Sequence, residues 1–291
     1  MDVAAIRSQI PDGIRAQFGE PRGVEHLGGL SGAAVLRLNF GTCTAILKQG
    51  APAVELHVYG RLGELFRAHH VHMPRLLASG DAGGSPWLLI EDVPEPLSPE
   101  RWLADAQVVA MLRRLHRIEL DPALIPPDRY RPRWDDDMTA AARSLFPGED
   151  GVNLRAHLDR LRDRAQPLFE GKALLSGDPN PRNWAVRPNG DPVLFDWERL
   201  TLGSPALDLA ITVPGFGSRA NFERLALTYW GAAPATLLAA RADDLVAAKA
   251  WSVVEFLSGL VSERSAIPDE MARLLVDFPD WVRGLTASMR E

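Results

Sequence analysis

Residues 174–198 read LLSGDPNPRNWAVRPNGDPVLFDWE, and the rest of the chain is ordered around them. Two short apolar runs, Lys172–Leu175 and Pro192–Phe195, lead into Asp178 and Asp196, so each aspartate sits where a buried strand meets a loop. Asn183 follows Asp178 by five residues. Between the runs, Asn189-Gly190 is a strong hairpin signal, because both central positions of a type I′ turn need positive φ. A hairpin there is expected to gather Asp178, Asn183 and Asp196: two carboxylates and an amide oxygen, all hard donors. Mg²⁺ takes oxygen ligands and binds through one or two carboxylates plus phosphates. Either aspartate alone is an ordinary turn or cap residue. Jointly, at this spacing, they point to a magnesium-nucleotide site.

The whole chain sets the limits of that reading. Its 291 residues are 46% hydrophobic and 24% charged, a globular composition with room for one large domain or two lobes. A net charge of -6 leaves no electrostatic footprint for nucleic acid. Residues 1–94 carry 8 basic and 9 acidic side chains and the remainder 24 and 29, so the second part is the acidic one and suits a cationic partner. Cys43 is the only cysteine, which excludes an intramolecular disulfide and gives no sign of an oxidising compartment. The start MDVAAIR lacks a signal-peptide pattern, and no uninterrupted apolar run approaches the ~20 residues of a membrane span. The expectation is a soluble, cytoplasmic protein with no membrane partner.

Residues 2–18 read as a lead-in helix broken at Pro11-Asp-Gly. Next, Gly28, Gly29 and Gly32 surround Ser31 ahead of an alternating run, a turn in which Ser31 and Gly32 could bring backbone amides close to a phosphate. Val35–Asn39 and Thr42–Lys48 read as a hairpin, with Thr44, Ile46 and Lys48 on one face and Cys43, Ala45 and Leu47 on the other. Lys48 needs a partner if it is buried; otherwise it is a strand-end lysine reaching water. Pro52–His70 has a helical period, and Glu55 in its first turn is either that partner or a simple N-terminal helix acid. His69, His70 and His72 lack the spacing and companions of a zinc site. Trp87–Val93 is a buried strand stopped by Pro94, which places a boundary between lobes 1–94 and 95–291. Backbone of Glu91 and Val93, with Ile46 and Ile90 beside it, is the candidate reader of an adenine edge.

In the second lobe Ser98-Pro99 starts a helix, and Val108, Met111, Leu112, Leu115 and Ile118 share one face of the next, with His116 a structural histidine. Asp121–Asp137 reads as an irregular connection whose acids cap the following helix or attract an amine. Arg155–Phe169 is amphipathic. Asp208 in GSPALDLA is expected to bond backbone amides of the Asp178 segment. Helices near Asn221–Tyr229, Asp243–Ser262 and Glu270–Leu285 carry Trp251, Glu255, Glu263 and Asp277, with no face assigned.

Strand-Lys48, helix-Glu55, SGDPNPRNW, LFDWE and GSPALDLA, in that order, resemble the aminoglycoside phosphotransferase and choline kinase-like family over residues 25–215. The resemblance implies an α+β, two-lobed protein-kinase-like fold: a small antiparallel-sheet N-lobe and a larger, mainly helical C-lobe, with ATP in the cleft. Position by position it makes Asp178 the catalytic aspartate, Asn183 and Asp196 the Mg²⁺ ligands, Lys48 the α/β-phosphate lysine and Glu55 its ion-pair partner. The implied activity is ATP-dependent phosphorylation of a small-molecule hydroxyl: an aminoglycoside-like or other antibiotic, an amino alcohol or a sugar derivative. A nucleotide-binding protein without transferase activity is the alternative.

Three departures stand out. Ser176 replaces the histidine usual two residues before the catalytic aspartate, which removes a packing brace. Asp196-Trp-Glu ends in glutamate rather than the glycine of protein kinases. Asn180 and Arg182 occupy the catalytic loop, where either is a candidate contact to the γ-phosphate.

Overall fold

A computed structural model describes residues 10, 12–27, 34–146, 149–263 and 275–289. The chain divides into two compact units. One gathers Met1–Pro96, Leu120–Arg129 and Asn183–Leu200; the other gathers Leu97–Glu119, Tyr130–Arg182 and Thr201–Glu291. The architecture is α+β, with a five-stranded antiparallel sheet in the first unit and mainly helices in the second.

The sheet of the first unit comprises β1 (Gly23–His26), β2 (Ala34–Asn39), β3 (Thr44–Gln49), β4 (Leu76–Ala82) and β5 (Ser85–Glu91) in the order β1-β2-β3-β5-β4. Alternation divides its faces as the sequence pattern requires. Leu36, Leu38, Ala45, Leu47, Trp87 and Leu89 point into a core shared with Ile10 and Ile14. Lys48 pairs with Val35 on one side and Leu88 on the other, and Ile46 likewise joins Arg37 and Ile90. Gly41, at φ +89°, closes the β2–β3 turn in a conformation that suits glycine.

The expected helix over 52–70 is not continuous α-helix. Ala53–His57 and Gly63–Ala68 are α-helical, and Val58–Leu62 between them is a π turn. Gly60 and Gly63 weaken the local α preference, and the wider turn still buries Val58, Tyr59 and Leu62 together.

The hairpin at Asn189-Gly190 forms, with Gly190 at φ +88°, but it does not join the two apolar runs. Pro192–Leu194 pairs with Trp184–Val186, the segment nearest the turn. Ala173–Leu175, in the second unit, pairs with Thr201–Gly203. Turn chemistry selects the nearest competent neighbour, and the first run is left to find a later one.

In the second unit Asp105 caps helix Ala106–Leu115 through the amides of Gln107 and Val108, and Asp135 caps Asp136–Ser144 through that of Met138. Helices Glu149–Phe169, Pro205–Ile211, Arg219–Trp230 and Phe278–Ser288 follow. The expected helices at 221–229 and 243–262 both occur, the second beginning earlier, as Ala235–Ser262. Of the segment expected at 270–285, residues 270–274 lie outside the described residues. Ala235–Ser262 is long and apolar enough to cross a membrane by length and composition. It is nevertheless the core helix of its unit, burying Ala242, Leu245, Val246, Ala250, Val254 and Leu257 against its neighbours.

Candidate active site

Lys48 is 7% exposed, so its ammonium needs compensation. Three carboxylates supply it: Glu55 at 2.6 Å, Asp196 at 2.9 Å and Glu198 at 3.6 Å from Nζ. Burial alone would lower the lysine pKa, but the fields of Glu55 and Asp196 outweigh it and hold the group well above its ordinary value. Glu55 is itself 1% exposed, and burial pushes its carboxyl up to about 7 against the pull of Lys48. Asp196 and Glu198 crowd the same ammonium and push in the same direction as burial. Ligand atoms of the three acids lie within 4.8 Å of one another, a grouping that includes none of His69, His70 or His72.

Hairpin register positions the next pair. Trp184 is opposite Leu194, so Asn183 and Phe195 meet just beyond it, and the Phe195 amide donates to the Asn183 carbonyl at 3.1 Å. Asp196 follows at φ +66°, a left-handed conformation that aspartate tolerates better than most residues. Trp197 fixes that turn from the buried side: its indole donates to the Leu194 carbonyl at 3.0 Å and its ring lies 5.0 Å from that of Phe66. The hairpin thus sets Asn183 beside Phe195, the residue before Asp196, and it does not gather Asp178 with them as the sequence led one to expect, because Asp178 belongs to the other unit.

Asp178 stands at the end of Ala173-Leu-Leu-Ser-Gly, where Gly177 has φ +83°. Its loop is pinned from helix Pro205–Ile211 by Asp208, which is 0% exposed. The Asp208 carboxylate accepts from Ser176 N–H at 2.8 Å, Ser176 Oγ at 3.1 Å and Gly177 N–H at 2.9 Å. It also lies 3.1 Å from His116 Nε2, whose Nδ1 is 2.9 Å from the Tyr229 hydroxyl. The bonds from Asp208 to backbone are those expected. His116 is satisfied, as a structural histidine should be, yet its partner is the anchor of the Asp178 loop. An imidazole therefore reaches this carboxylate from another element while serine occupies position 176. Asn180 turns the loop onward by accepting from the Arg182 amide at 3.0 Å.

Ile46 and Ile90 are neighbours across β3 and β5. The Glu91 side chain is committed to structure, accepting from Arg187 at 2.7 Å and from the Arg75 amide at 3.0 Å. Partial burial opposes ionisation of Glu91, but these bonds outweigh it and hold the carboxyl below the usual glutamate range. Arg37 Nε holds the following Asp92 at 2.8 Å, and Val93 continues in irregular, half-buried backbone. Ser31 and Gly32, with Gly28 and Gly29, lie outside the described residues.

Several participants were not legible in the sequence. In the sequence Glu198 reads only as a motif end, and its approach to Lys48 depends on the Asp196 turn. Tyr59 carries a buried hydroxyl without a hydrogen-bond partner among the described residues. Lys249 is 7% exposed and donates to the Val213 carbonyl at 2.6 Å. Burial lowers its pKa to about 8, with the field of Asp178 acting in the opposite direction. Of the other candidates, Trp251 is core and donates to the Arg133 carbonyl, and Glu255 receives the Tyr130 hydroxyl. Glu263 and Asp277 sit at helix ends.

A family model described as the phosphotransferase enzyme family matches residues 24–242. The chain belongs to that family. Among solved structures, a microcompartment-associated aminopropanol kinase is 15% identical with a TM-score of 0.64, the alignment covering 99% of each chain. A spectinomycin phosphotransferase in complex with ADP and spectinomycin is 13% identical with a TM-score of 0.63, covering 97% of this chain and 98% of that one. A choline kinase from Streptococcus pneumoniae is 15% identical with a TM-score of 0.58, covering 97% and 99%. At these identities the likeness is one of fold: this phosphotransferase has the two-lobed, protein-kinase-like architecture. No curated protein matched by sequence.

Proposed function

We propose that this phosphotransferase moves the γ-phosphate of ATP, as its magnesium complex, to a hydroxyl of a small molecule. The observation that carries the proposal is the buried Lys48 ammonium held at 2.6 Å by Glu55 and at 2.9 Å by Asp196. Phosphoryl transfer asks a protein mainly to position reactants and neutralise phosphate charge. A lysine kept charged and fixed by two acids is suited to phosphate oxygens. Asn183 and Asp196 offer hard oxygen donors on adjoining hairpin ends, a donor set that fits magnesium. Bound there, the metal would neutralise phosphate charge.

In this reading residues 1–94 supply Lys48, Glu55 and the adenine-facing backbone of Glu91 and Val93, with Ile46 and Ile90 beside it, and Ser31 and Gly32 near phosphate. Residues 95–291 supply Asp178, Asn183, Asp196 and the acceptor-binding helices. Asp178 accepts the acceptor's hydroxyl proton; a carboxylate suffices because proton removal can lag behind bond cleavage in a loose transition state. The acceptor class comprises aminoglycoside-like or other antibiotics, amino alcohols and sugar derivatives. An amine-bearing acceptor is favoured by the acidic composition after residue 94 and by the names of the similar structures, which include choline and aminopropanol kinases.

ADP release with ATP and a panel of these acceptors tests the reading, with Asp178→Asn as control. The expected outcome is acceptor-dependent ADP release that falls by orders of magnitude in Asp178→Asn while nucleotide binding persists. Wild-type transfer by that variant would sink the assignment. A nucleotide-binding protein without transferase activity would release no ADP with any acceptor; the serine at position 176 is its support, and the three hydrogen bonds that Ser176 and Gly177 donate to Asp208 weaken that support.

A further inference from the structure

Arg187 takes no part in the proposed chemistry, yet it joins two stretches that do. Glu91 ends β5, and its backbone belongs to the proposed adenine reader. Arg187 lies at the turn of the hairpin formed by Trp184–Val186 and Pro192–Leu194, whose open end leads to Asn183 and Asp196. Its Nη2 donates to Glu91 Oε2 at 2.7 Å, across 96 residues of sequence, and to the Met73 carbonyl at 3.3 Å. Both side chains of the pair are partly exposed, so the ion pair itself adds little to stability. What it supplies is geometry, because a guanidinium fork holds a carboxylate in one orientation.

Local bonds fix each partner. The Arg187 amide donates to the Asp191 carbonyl at 3.0 Å, and the Arg187 carbonyl accepts from Gly190 at 2.8 Å, so the turn holds the root of the side chain. The Glu91 amide donates to the Arg75 carbonyl at 2.9 Å, and the Glu91 carboxylate accepts from the Arg75 amide at 3.0 Å. The hairpin is bonded to the same two stretches through its backbone: Leu194 donates to the His72 carbonyl at 3.0 Å and Val186 to the Glu95 carbonyl at 2.8 Å. Residues 92–95 have no regular structure, and Pro94 has no amide to donate. The hairpin therefore holds this irregular segment at both ends, by a side chain at Glu91 and by backbone at Glu95. Arg37 holds Asp92 between them at 2.8 Å.

We propose that Arg187 is a positioning residue for purine recognition: by holding the Glu91 side chain from the hairpin turn, it fixes the Glu91–Val93 backbone against which the base fits. The same hairpin leads to the proposed metal ligands, so base and phosphates are set in register by one element. The proposal rests on Glu91 and Val93 being the adenine-facing backbone. Loss of the pair should weaken the contribution of the base to binding and leave that of the phosphates in place. Arg187→Met and Arg187→Gln remove the charge, whereas Arg187→Lys keeps it.

The test is calorimetric binding of ATP and of inorganic tripolyphosphate, each with Mg²⁺, because the second ligand lacks the base. In both uncharged variants ATP affinity should fall about fivefold or more, the low end of coupling between sites, while tripolyphosphate affinity stays within about twofold of wild type. Arg187→Lys should recover part of the loss. Glu91→Gln weakens the same contact, so adding it to Arg187→Met should cost little more than Arg187→Met alone. An unchanged ATP affinity in whichever uncharged variant folds overturns the proposal. Equal losses for the two ligands also overturn it, since they would mark a general loosening of the site. Either result, with a wild type that binds ATP more tightly than tripolyphosphate, removes only the role of Arg187. A wild type that binds both ligands alike removes the adenine reading and the positioning role with it.

Discussion

Lys48 Nζ and Glu55 Oε2 lie 2.6 Å apart, both almost wholly buried, with Asp196 and Glu198 crowding the same ammonium. One cation thus faces three acids, and the deepest of them, Glu55, is pushed up to about 7 by burial. Because this folded pKa exceeds the ordinary glutamate value, the folded state retains the proton where the unfolded chain has released it. The contribution of Glu55 is therefore fully present below the unfolded pKa and is lost as pH rises toward about 7.

Lys48→Met should sharpen that dependence. Without the ammonium, an ionised Glu55 is buried unpaired, at a cost on the order of 3 kcal/mol. Protonation relieves much of it. Urea unfolding should show a gap between variant and wild type that is wide at about pH 8 and narrower at about pH 5.5. A gap of the same size at both would mean that Glu55 is not the group left uncompensated.

The Asp208 anchor predicts unequal costs for its partners. Ser176→Ala removes one hydroxyl bond and should cost about 1 kcal/mol, with transfer nearly retained because both amide bonds survive. Asp208→Ala leaves two amides, a hydroxyl and His116 without their common acceptor, and should cost about 3 kcal/mol or more. Thermal unfolding and transfer rates of the two variants check the order. Reversal would place the brace of the loop in serine rather than aspartate.

Glu255 predicts a pH effect of its own. Burial pushes its carboxyl up to about 8, and the Tyr130 hydroxyl is its partner. The sign follows that of Glu55: the folded state holds the proton, and stability falls as pH rises from the unfolded pKa toward about 8. Glu255→Gln keeps an acceptor for Tyr130 and cannot ionise. It should match wild type at about pH 5 and exceed it by roughly 2 kcal/mol at about pH 8.5, as read by urea unfolding.

The residues that could be read from sequence are those whose neighbours are set by local rules. Period-2 alternation puts Lys48 and Ile46 opposite the core face, and the Asn189-Gly190 turn sets Asn183 beside Phe195 through the register of a short hairpin. Long-range choices were not readable. The run before Asp178 pairs with Thr201–Gly203 because Pro192–Leu194 is taken by the strand nearer the turn. Glu198 reaches Lys48 only because Asp196 adopts positive φ, and His116 meets Asp208 across 92 residues of sequence, a pairing that the apolar face of its helix does not specify.

Asp196 combines a backbone demand with a charge, and substitution can separate them. Asparagine tolerates the left-handed conformation, so Asp196→Asn should keep the turn and unfold within about 1 kcal/mol of wild type. Alanine keeps neither the charge nor the tolerance, and Asp196→Ala should lose roughly a further 1 kcal/mol from the backbone. Lys48 retains Glu55 and Glu198 in both variants, so metal-free ATP should still bind. The proposed magnesium role predicts a different result when the metal is present. The gain in ATP affinity on adding Mg²⁺, measured by calorimetry, should shrink in both variants alike, because each lacks the anionic oxygen. A gain equal to wild type in Asp196→Asn would take Asp196 out of the metal shell and leave it as the partner of Lys48 alone.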